Sequence, residues 1–315
     1  MFLYAMRVVV VGGTGHIGTF LVPRLVDAGH DVVVLSRGRR EPYVPHRAWS
    51  EVEQIDIDRE AEDEAGTFGA RVDALHPDAV VDFICFTPAS AQQLVDALKP
   101  RQTLLLHCGT MWVHGKRDAG AEAVTEDAPR HPFGDYGIKK AAIEQQLLDA
   151  TRRGDARAVV LHPGHLVGPG WNPLNPAGHF NPDVFTRIAR GDVLVLPNEG
   201  KETVHHVHAD DVAQAFELAL ASPDAAVGES FHVVSPAPMR LRDYAEAMYA
   251  HFGQMPRLEF LPWEEWRHTV TEQEAAATWD HIAHSPNGSI AKARGRLGYA
   301  PRYSSLEAVI ESIES

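Results

Sequence analysis

Tyr136 and Lys140, in the stretch YGIKK, lie four residues apart and so share one face of any helix that carries them. An ammonium beside a phenol favours the phenolate and lowers the phenol's pKa. A phenol tuned in this way can trade a proton with a carbonyl or an alcohol near neutral pH. A surface tyrosine beside a charged helix face has the same spacing, so the pair needs support from the rest of the chain.

A second chemical signal stands near the start. GGTGHIG, residues 12–18, holds Gly12, Gly13, Thr14, Gly15, His16, Ile17 and Gly18. Glycines there permit a tight turn and let backbone N–H groups approach a pyrophosphate, while the helix that follows offers its positive N-terminus. The end of the next strand selects the dinucleotide. An acidic residue would hold the 2′-hydroxyl of NAD, but this strand closes LSRGRR (35–40). Ser36 and Arg37 suit a 2′-phosphate, so the expected cofactor is NADP, with NAD possible. A solvated basic loop is the plain alternative. Asp56 and Ile57, after the third strand, are placed to flank the adenine.

These residues need elements to hold them. RVVVVGG (7–13) is a continuous apolar run ending in glycines, as a buried parallel strand requires, and HIGTFLVPRLVDAG (16–29) follows at helical period. Further strands read at 31–38, 52–57, 78–84 and 102–109, with helical stretches between them such as 89–100. A long helix is expected over 135–154 and a strand over 156–164. Alternation of strand and helix means a parallel sheet with helices on both faces. After residue 168 the stretch GPGWNPLNPAGHFNP (168–182) must be mostly loop. Strand and helix resume over 202–222, another strand at 229–236, and a last helix near 305–314.

The chain of 315 residues is 44% hydrophobic and suits a globular fold with a substantial core. With 29 Lys+Arg against 43 Asp+Glu the balance is −14, which opposes a general nucleic-acid role. No apolar run reaches the roughly 20 residues of a membrane helix. Two cysteines and the lack of a charged leader fit a reducing cytoplasm, and residues 1–5 read as a short extension ahead of Met6.

In sequence the chain resembles the extended short-chain dehydrogenase/reductase superfamily, in its NAD-dependent epimerase/dehydratase branch. The resemblance rests on GGTGHIG, on HCGTMWVHG (107–115) beside the family's Ser-Ser-x-x-Val-Tyr-Gly, and on YGIKK. LHPGHLVGPG (161–170), VHADDVAQAF (207–216) and ARGRLGYAPRYSSLEAVIE (293–311) continue it in order. It implies an α/β fold, a Rossmann-type doubly wound parallel sheet with a smaller C-terminal substrate-binding part. Residues 1–168 plus 203–235 would form the core, and 169–202 plus 236–315 the substrate part. It implies an enzyme in which Tyr136 is the acid/base, Lys140 lowers its pKa and holds the nicotinamide ribose, and Thr110 hydrogen-bonds the substrate oxygen. His162, in place of the family's usual arginine before the proline, is grouped with the cofactor residues. A homodimer built on the Tyr-x-x-x-Lys helix is also implied; Ile143, Leu147 and Leu148 fit such packing and fit the chain's own core equally.

The chain departs from the sugar-nucleotide members at Val204, where they commonly carry a diphosphate-binding arginine. The expected substrate is a small hydroxyl or keto compound, sugar-like, without the usual diphosphate grip. Trp171, Asn172, Asn175, His179 and Asn181 of the 168–182 loop, with His165, are its expected contacts. The resemblance implies first an NAD(P)-dependent enzyme of the epimerase/dehydratase type; plain NADPH-dependent reduction of a ketone or aldehyde on a non-nucleotide substrate is one alternative, and a non-catalytic binding protein on the same scaffold is another. Among 18 histidines, HHVH (205–208) would place His206 and His208 on one strand face and His205 on the other. No further ligand framework accompanies them, so no metal is expected.

Overall fold

The computed structural model describes residues 5–315, so all but Ala5 of the expected N-terminal extension lies outside it. The central sheet begins with β1 (Arg7–Val11), β2 (Asp31–Ser36) and β3 (Glu53–Asp56). It continues with β4 (Ala79–Asp82), β5 (Leu104–Cys108), β6 (Arg157–Pro163) and a last strand, Ser230–Val233. Across the sheet the order is Ser230–Val233, β6, β5, β4, β1, β2, β3, and every pairing is parallel. The order reverses between β1 and β4, which opens a crevice beyond their carboxyl ends.

Val8 to Val11 are all fully buried because both faces of the sheet are covered. Val8 and Val10 pack with α1 (His16–Asp27) and the helix Ala209–Ala221. Val9 and Val11 pack on the opposite face. After α2 (Arg59–Glu64), that face is covered by α3 (Phe68–Asp73), α4 (Pro88–Leu98) and α5 (Gly134–Arg152). Ile143 and Leu147 of α5 are spent in this core, with Leu148 packed against it.

A third core belongs to the smaller part and includes Phe185, Ile188, Tyr244, Met248 and Trp266. Its boundaries differ from the expected split in two places. Val204 joins this core, because Thr203–Val204 pairs antiparallel with Met239–Arg240. Residues 290–299, expected in the substrate part, return to the sheet. There Ile290, Ala293, Leu297 and Tyr299 cover the apolar face left by Phe216 and Phe231. The Tyr299 hydroxyl donates to the Val234 carbonyl at 3.1 Å, which fixes the return. No helix among the described residues is long and apolar enough to cross a membrane, and both cysteines are free and buried.

Candidate active site

β1 delivers the chain into the glycine turn. Gly12 has φ +80°, a conformation that favours glycine. A Cβ on Gly18 would stand 2.1 Å from the Gly13 carbonyl oxygen, so only glycine lets α1 start this close to the turn. Gly15 precedes α1 with no side-chain cap, which leaves the first amides of the helix for a ligand. A cleft of about 700 Å³ opens here, lined by Gly12, Thr14 and Gly15, by Ser36, Arg37, Arg39 and Arg40, and by Ile57. The permissive turn, the uncapped helix start and the cleft fit a dinucleotide.

Not every expected cofactor residue faces that cleft. Ile17 is buried in the core, and His16 is stacked on Trp171 at 4.8 Å, because both belong to the inward face of α1. Asp56 turns its carboxylate towards Gly38, while Ile57 and Asp58, just beyond the end of β3, line the cleft. A residue that sequence reasoning missed is Arg59. It lines the cleft, is 5% exposed, and its Nη1 lies 2.5 Å from Asp82 Oδ1. The signal was Asp82 itself, a carboxylate inside the apolar run DAVVDFI, which demands a buried partner.

Thr110, Tyr136 and Lys140 come together at the other end. Thr110 leaves β5 and caps the turn Met111–His114, its Oγ1 accepting from the Trp112 amide at 3.3 Å. Lys140 is 1% exposed and its Nζ donates to the Cys108 and Cys85 carbonyls at 2.7 and 2.9 Å. It also lies 4.9 Å from the ring of Phe86, which borders the cleft. Burial lowers the Lys140 pKa. Tyr136 remains 42% exposed, yet its hydroxyl end reaches Thr110 and burial there pushes the phenol up to about 12, against the opposing pull of Thr110. The expected depression of Tyr136 by Lys140 is therefore absent: the ammonium is turned to two carbonyls, 5.9 Å from the phenol ring centre.

His162 is another correction. It is fully enclosed, with Nδ1 accepting from the Thr110 amide at 3.0 Å and Nε2 3.0 Å from Glu144 Oε1. Both nitrogens are engaged behind Thr110, so the ring is not a cofactor contact.

The substrate side also differs from expectation. A loop without a strand ladder must satisfy its own polar groups, and the 168–182 loop uses its amides to do so. Asn172 donates to the Phe180 carbonyl at 2.6 Å, and Asn175, fully buried, bonds the Asn181 carbonyl and His179 at 2.9 and 3.0 Å. Asn181 donates to Glu274 at 2.6 Å. His165 lies among aromatic rings, 4.4 Å from His281 and 6.4 Å from Trp112. The mouth around Tyr136 is aromatic. Trp112 meets the tyrosine edge-on at 5.9 Å, and His284 is stacked between Trp112 and Phe133 at 4.1 and 4.0 Å. Phe180 and Trp279 are 42% and 41% exposed nearby. Burial lowers His281 and His284 to about 4, so both rings are neutral at physiological pH. Their i, i+3 spacing in HIAH was the available signal for a shared helix face.

The HHVH histidines serve structure. His205 bonds the Ser235 carbonyl at 2.9 Å, His206 the Leu174 carbonyl at 3.1 Å, and His208 stacks on Tyr303 at 4.2 Å. Among the described residues, Asp82, Cys85 and His107 bring three potential metal-ligand atoms within 4.8 Å of one another. Arg59 already neutralises Asp82 there, and Lys140 adds a second nearby cation.

A family model described as the NAD-dependent epimerase/dehydratase family matches residues 8–233. The chain is 28% identical to a 2′-dehydrokanamycin reductase of Streptomyces kanamyceticus, over 88% of this chain and 76% of that one. It is 30% identical to a UDP-glucose 4-epimerase of Azospirillum brasilense, over 68% of each. In fold it resembles a UDP-glucose 4-epimerase of Thermotoga maritima solved with UDP-glucose, at 18% identity, with a TM-score of 0.73 over 98% of each chain. A dTDP-glucose 4,6-dehydratase of Bacillus anthracis in complex with NAD superposes with a TM-score of 0.75 at 16% identity, over 98% of this chain and 96% of that one.

Proposed function

The chain belongs to the NAD-dependent epimerase/dehydratase family, and on that premise we propose that it is an NADP(H)-dependent oxidoreductase that reduces a ketone on a sugar-like, non-nucleotide substrate, with Tyr136 as the proton donor. As an NAD(P)-dependent enzyme it is not the non-catalytic binder that the scaffold also allows. The observation that carries the reading is the meeting of Thr110, Tyr136 and Lys140 where the glycine-loop cleft ends.

When bound, the nicotinamide cofactor supplies the hydride. Tyr136, held protonated by burial, is in the state that gives a proton to a carbonyl oxygen as it becomes an alcohol. The Thr110 hydroxyl is placed to hydrogen-bond the same oxygen. Lys140 has three N–H donors, of which two are spent on Cys85 and Cys108, leaving one for the cofactor ribose. At the far end of the cleft, Arg37 and Arg39 have no ion-pair partner among the described residues and suit a 2′-phosphate. NADP(H) is therefore expected to bind about 10- to 150-fold more tightly than NAD(H), the worth of a charge-assisted hydrogen bond. Titration of both cofactors into wild type and Arg37→Ala checks this. The preference should collapse in the variant, and equal wild-type affinities would overturn the assignment.

The absence of nucleotide recognition is supported at Val204, which is fully buried in the third core and offers no cation to a diphosphate. The aromatic mouth suits the apolar face of a sugar-like ring, and one relative is named a 2′-dehydrokanamycin reductase. UDP and UDP-sugars are expected to bind poorly, for want of a contact worth about 1.5–3 kcal/mol. Calorimetry decides: low-micromolar binding of any of them would defeat this reading. The 30% identity to a UDP-glucose 4-epimerase favours a second one, an epimerase that reoxidises and reduces its substrate in one cycle. Protein purified with cofactor that does not exchange would support it, and freely exchanging NADPH supports the reductase.

A further inference from the structure

Tyr136, Lys140 and Glu144 stand at successive four-residue steps on α5, and each is tied to the sheet differently. Tyr136 reaches Thr110, and Lys140 holds the loop after β4 and the end of β5 through the Cys85 and Cys108 carbonyls. Glu144 is fixed by Arg130, whose Nη2 and Nε donate to its two oxygens at 2.7 and 2.9 Å. His162, on β6, fills the space between Glu144 and Thr110.

The tautomer of His162 follows from its neighbours. The Thr110 amide is a donor, so Nδ1 must accept, and the ring proton sits on Nε2 and points to Glu144. Backbone and helix are thus joined by one imidazole: Thr110 N–H to Nδ1, then Nε2–H to the carboxylate. The approach depends on Gly109. A Cβ there would lie 2.3 Å from His162 Nδ1 and 2.7 Å from Cε1, so any larger residue displaces the ring. Gly109 is itself held by its amide, which donates to the Leu161 carbonyl at 2.7 Å.

We propose that Gly109, His162 and Glu144 form a clamp that fixes the Thr110 hydroxyl against Tyr136, with His162 as a positioning residue set behind the reacting groups. The clamp rests on the proposed function only for the roles of Thr110 and Tyr136. Its geometry links the loop that carries one group to the helix that carries the other, so their spacing does not depend on the substrate.

The test compares His162→Asn, His162→Gln and Gly109→Ala with wild type, using 9,10-phenanthrenequinone as carbonyl probe and saturating NADPH. Asparagine puts Oδ1 where Nδ1 was and retains the acceptor for the Thr110 amide. Glutamine retains only a donor near Glu144. The expected result is a turnover near wild type for His162→Asn and a fall of about 100-fold for His162→Gln and Gly109→Ala, the scale of a misplacement near 1 Å. NADPH affinity should stay within about twofold in all three. Gly109→Ala combined with His162→Gln should be no worse than the poorer single variant, because both break one contact. Amide exchange at Thr110 should be slow in wild type and His162→Asn and fast in His162→Gln, and nitrogen-15 NMR should find the His162 proton on Nε2. Equal rates for the asparagine and glutamine variants, or a Thr110 amide that exchanges alike in all, would overturn the clamp. If Tyr136→Phe leaves quinone reduction intact, the proposed function fails instead, and the clamp is then decided by the exchange and tautomer measurements alone.

Discussion

Tyr136→Phe is expected to lower turnover by about 10²–10⁴, the usual worth of a positioned acid/base, while NADPH affinity and melting temperature stay nearly unchanged. The substitution removes one hydroxyl from a ring that is already 42% exposed, so it opens no cavity in the core. The pH dependence has a definite sign. Burial raises the phenol to about 12, so the proton-donating form is fully present below that range and is lost as pH rises through it. Reduction should therefore be flat in its Tyr136-dependent limb across the neutral range and decline only on the alkaline side. Phenylalanine should abolish that decline together with the rate. Stopped-flow or steady-state rates at saturating NADPH measure both, and near-normal turnover in the variant would remove Tyr136 from the mechanism.

Arg59→Met should cost about 3–5 kcal/mol of stability, because it strands the Asp82 carboxylate without its partner. Asp82 is 1% exposed, and Arg59 Nη1 lies 2.5 Å from its Oδ1. Burial works against the guanidinium's charge, and Asp82 outweighs it. A loss of that size is a large fraction of the roughly 5–15 kcal/mol that holds a domain together. The double variant Arg59→Met with Asp82→Leu should recover most of it, since a buried pair replaced by apolar groups is often neutral. Urea denaturation of the two variants is the measurement. A loss below about 1 kcal/mol in the single variant would mean that Asp82 is hydrated rather than stranded.

The sheet was legible because its strands are apolar runs without alternation, a pattern that only a sheet covered on both faces tolerates, as in RVVVV and DVVVL. That Thr110, Tyr136 and Lys140 come together was legible through local spacing and motif. What could not be read was set by contacts distant in sequence. Lys140 turns away from Tyr136 to bond Cys85 and Cys108, 55 and 32 residues away. Asn175 and Asn181 read as substrate donors because their types suit hydroxyls, yet Asn175 is consumed within the loop and Asn181 by Glu274, 93 residues away. His162 looked like a cofactor residue by position, whereas its ring is claimed by Thr110 and by Glu144, 18 residues upstream. Asp56, the last residue of β3, turns to Gly38, and the cleft is lined by the two residues that follow it, Ile57 and Asp58.

The return of residues 290–299 to the sheet bears on how the chain is made. Ile290, Ala293, Leu297 and Tyr299 complete the same apolar layer as Val8, Val10 and Leu21 from the other end of the chain. The carboxylate of Asp211 receives the Arg302 and Tyr303 amides at 2.8 and 3.1 Å, so the chain's last stretch is sewn to the helix that follows the HHVH strand. During synthesis these residues emerge after nearly everything they cover. On the ribosome one flank of the sheet must therefore wait, with Phe216 and Phe231 uncovered, until residues 290–299 have emerged. Folding of this flank follows synthesis of residues 290–299, and the nascent chain carries an apolar patch while the residues between Phe231 and Ile290 are made.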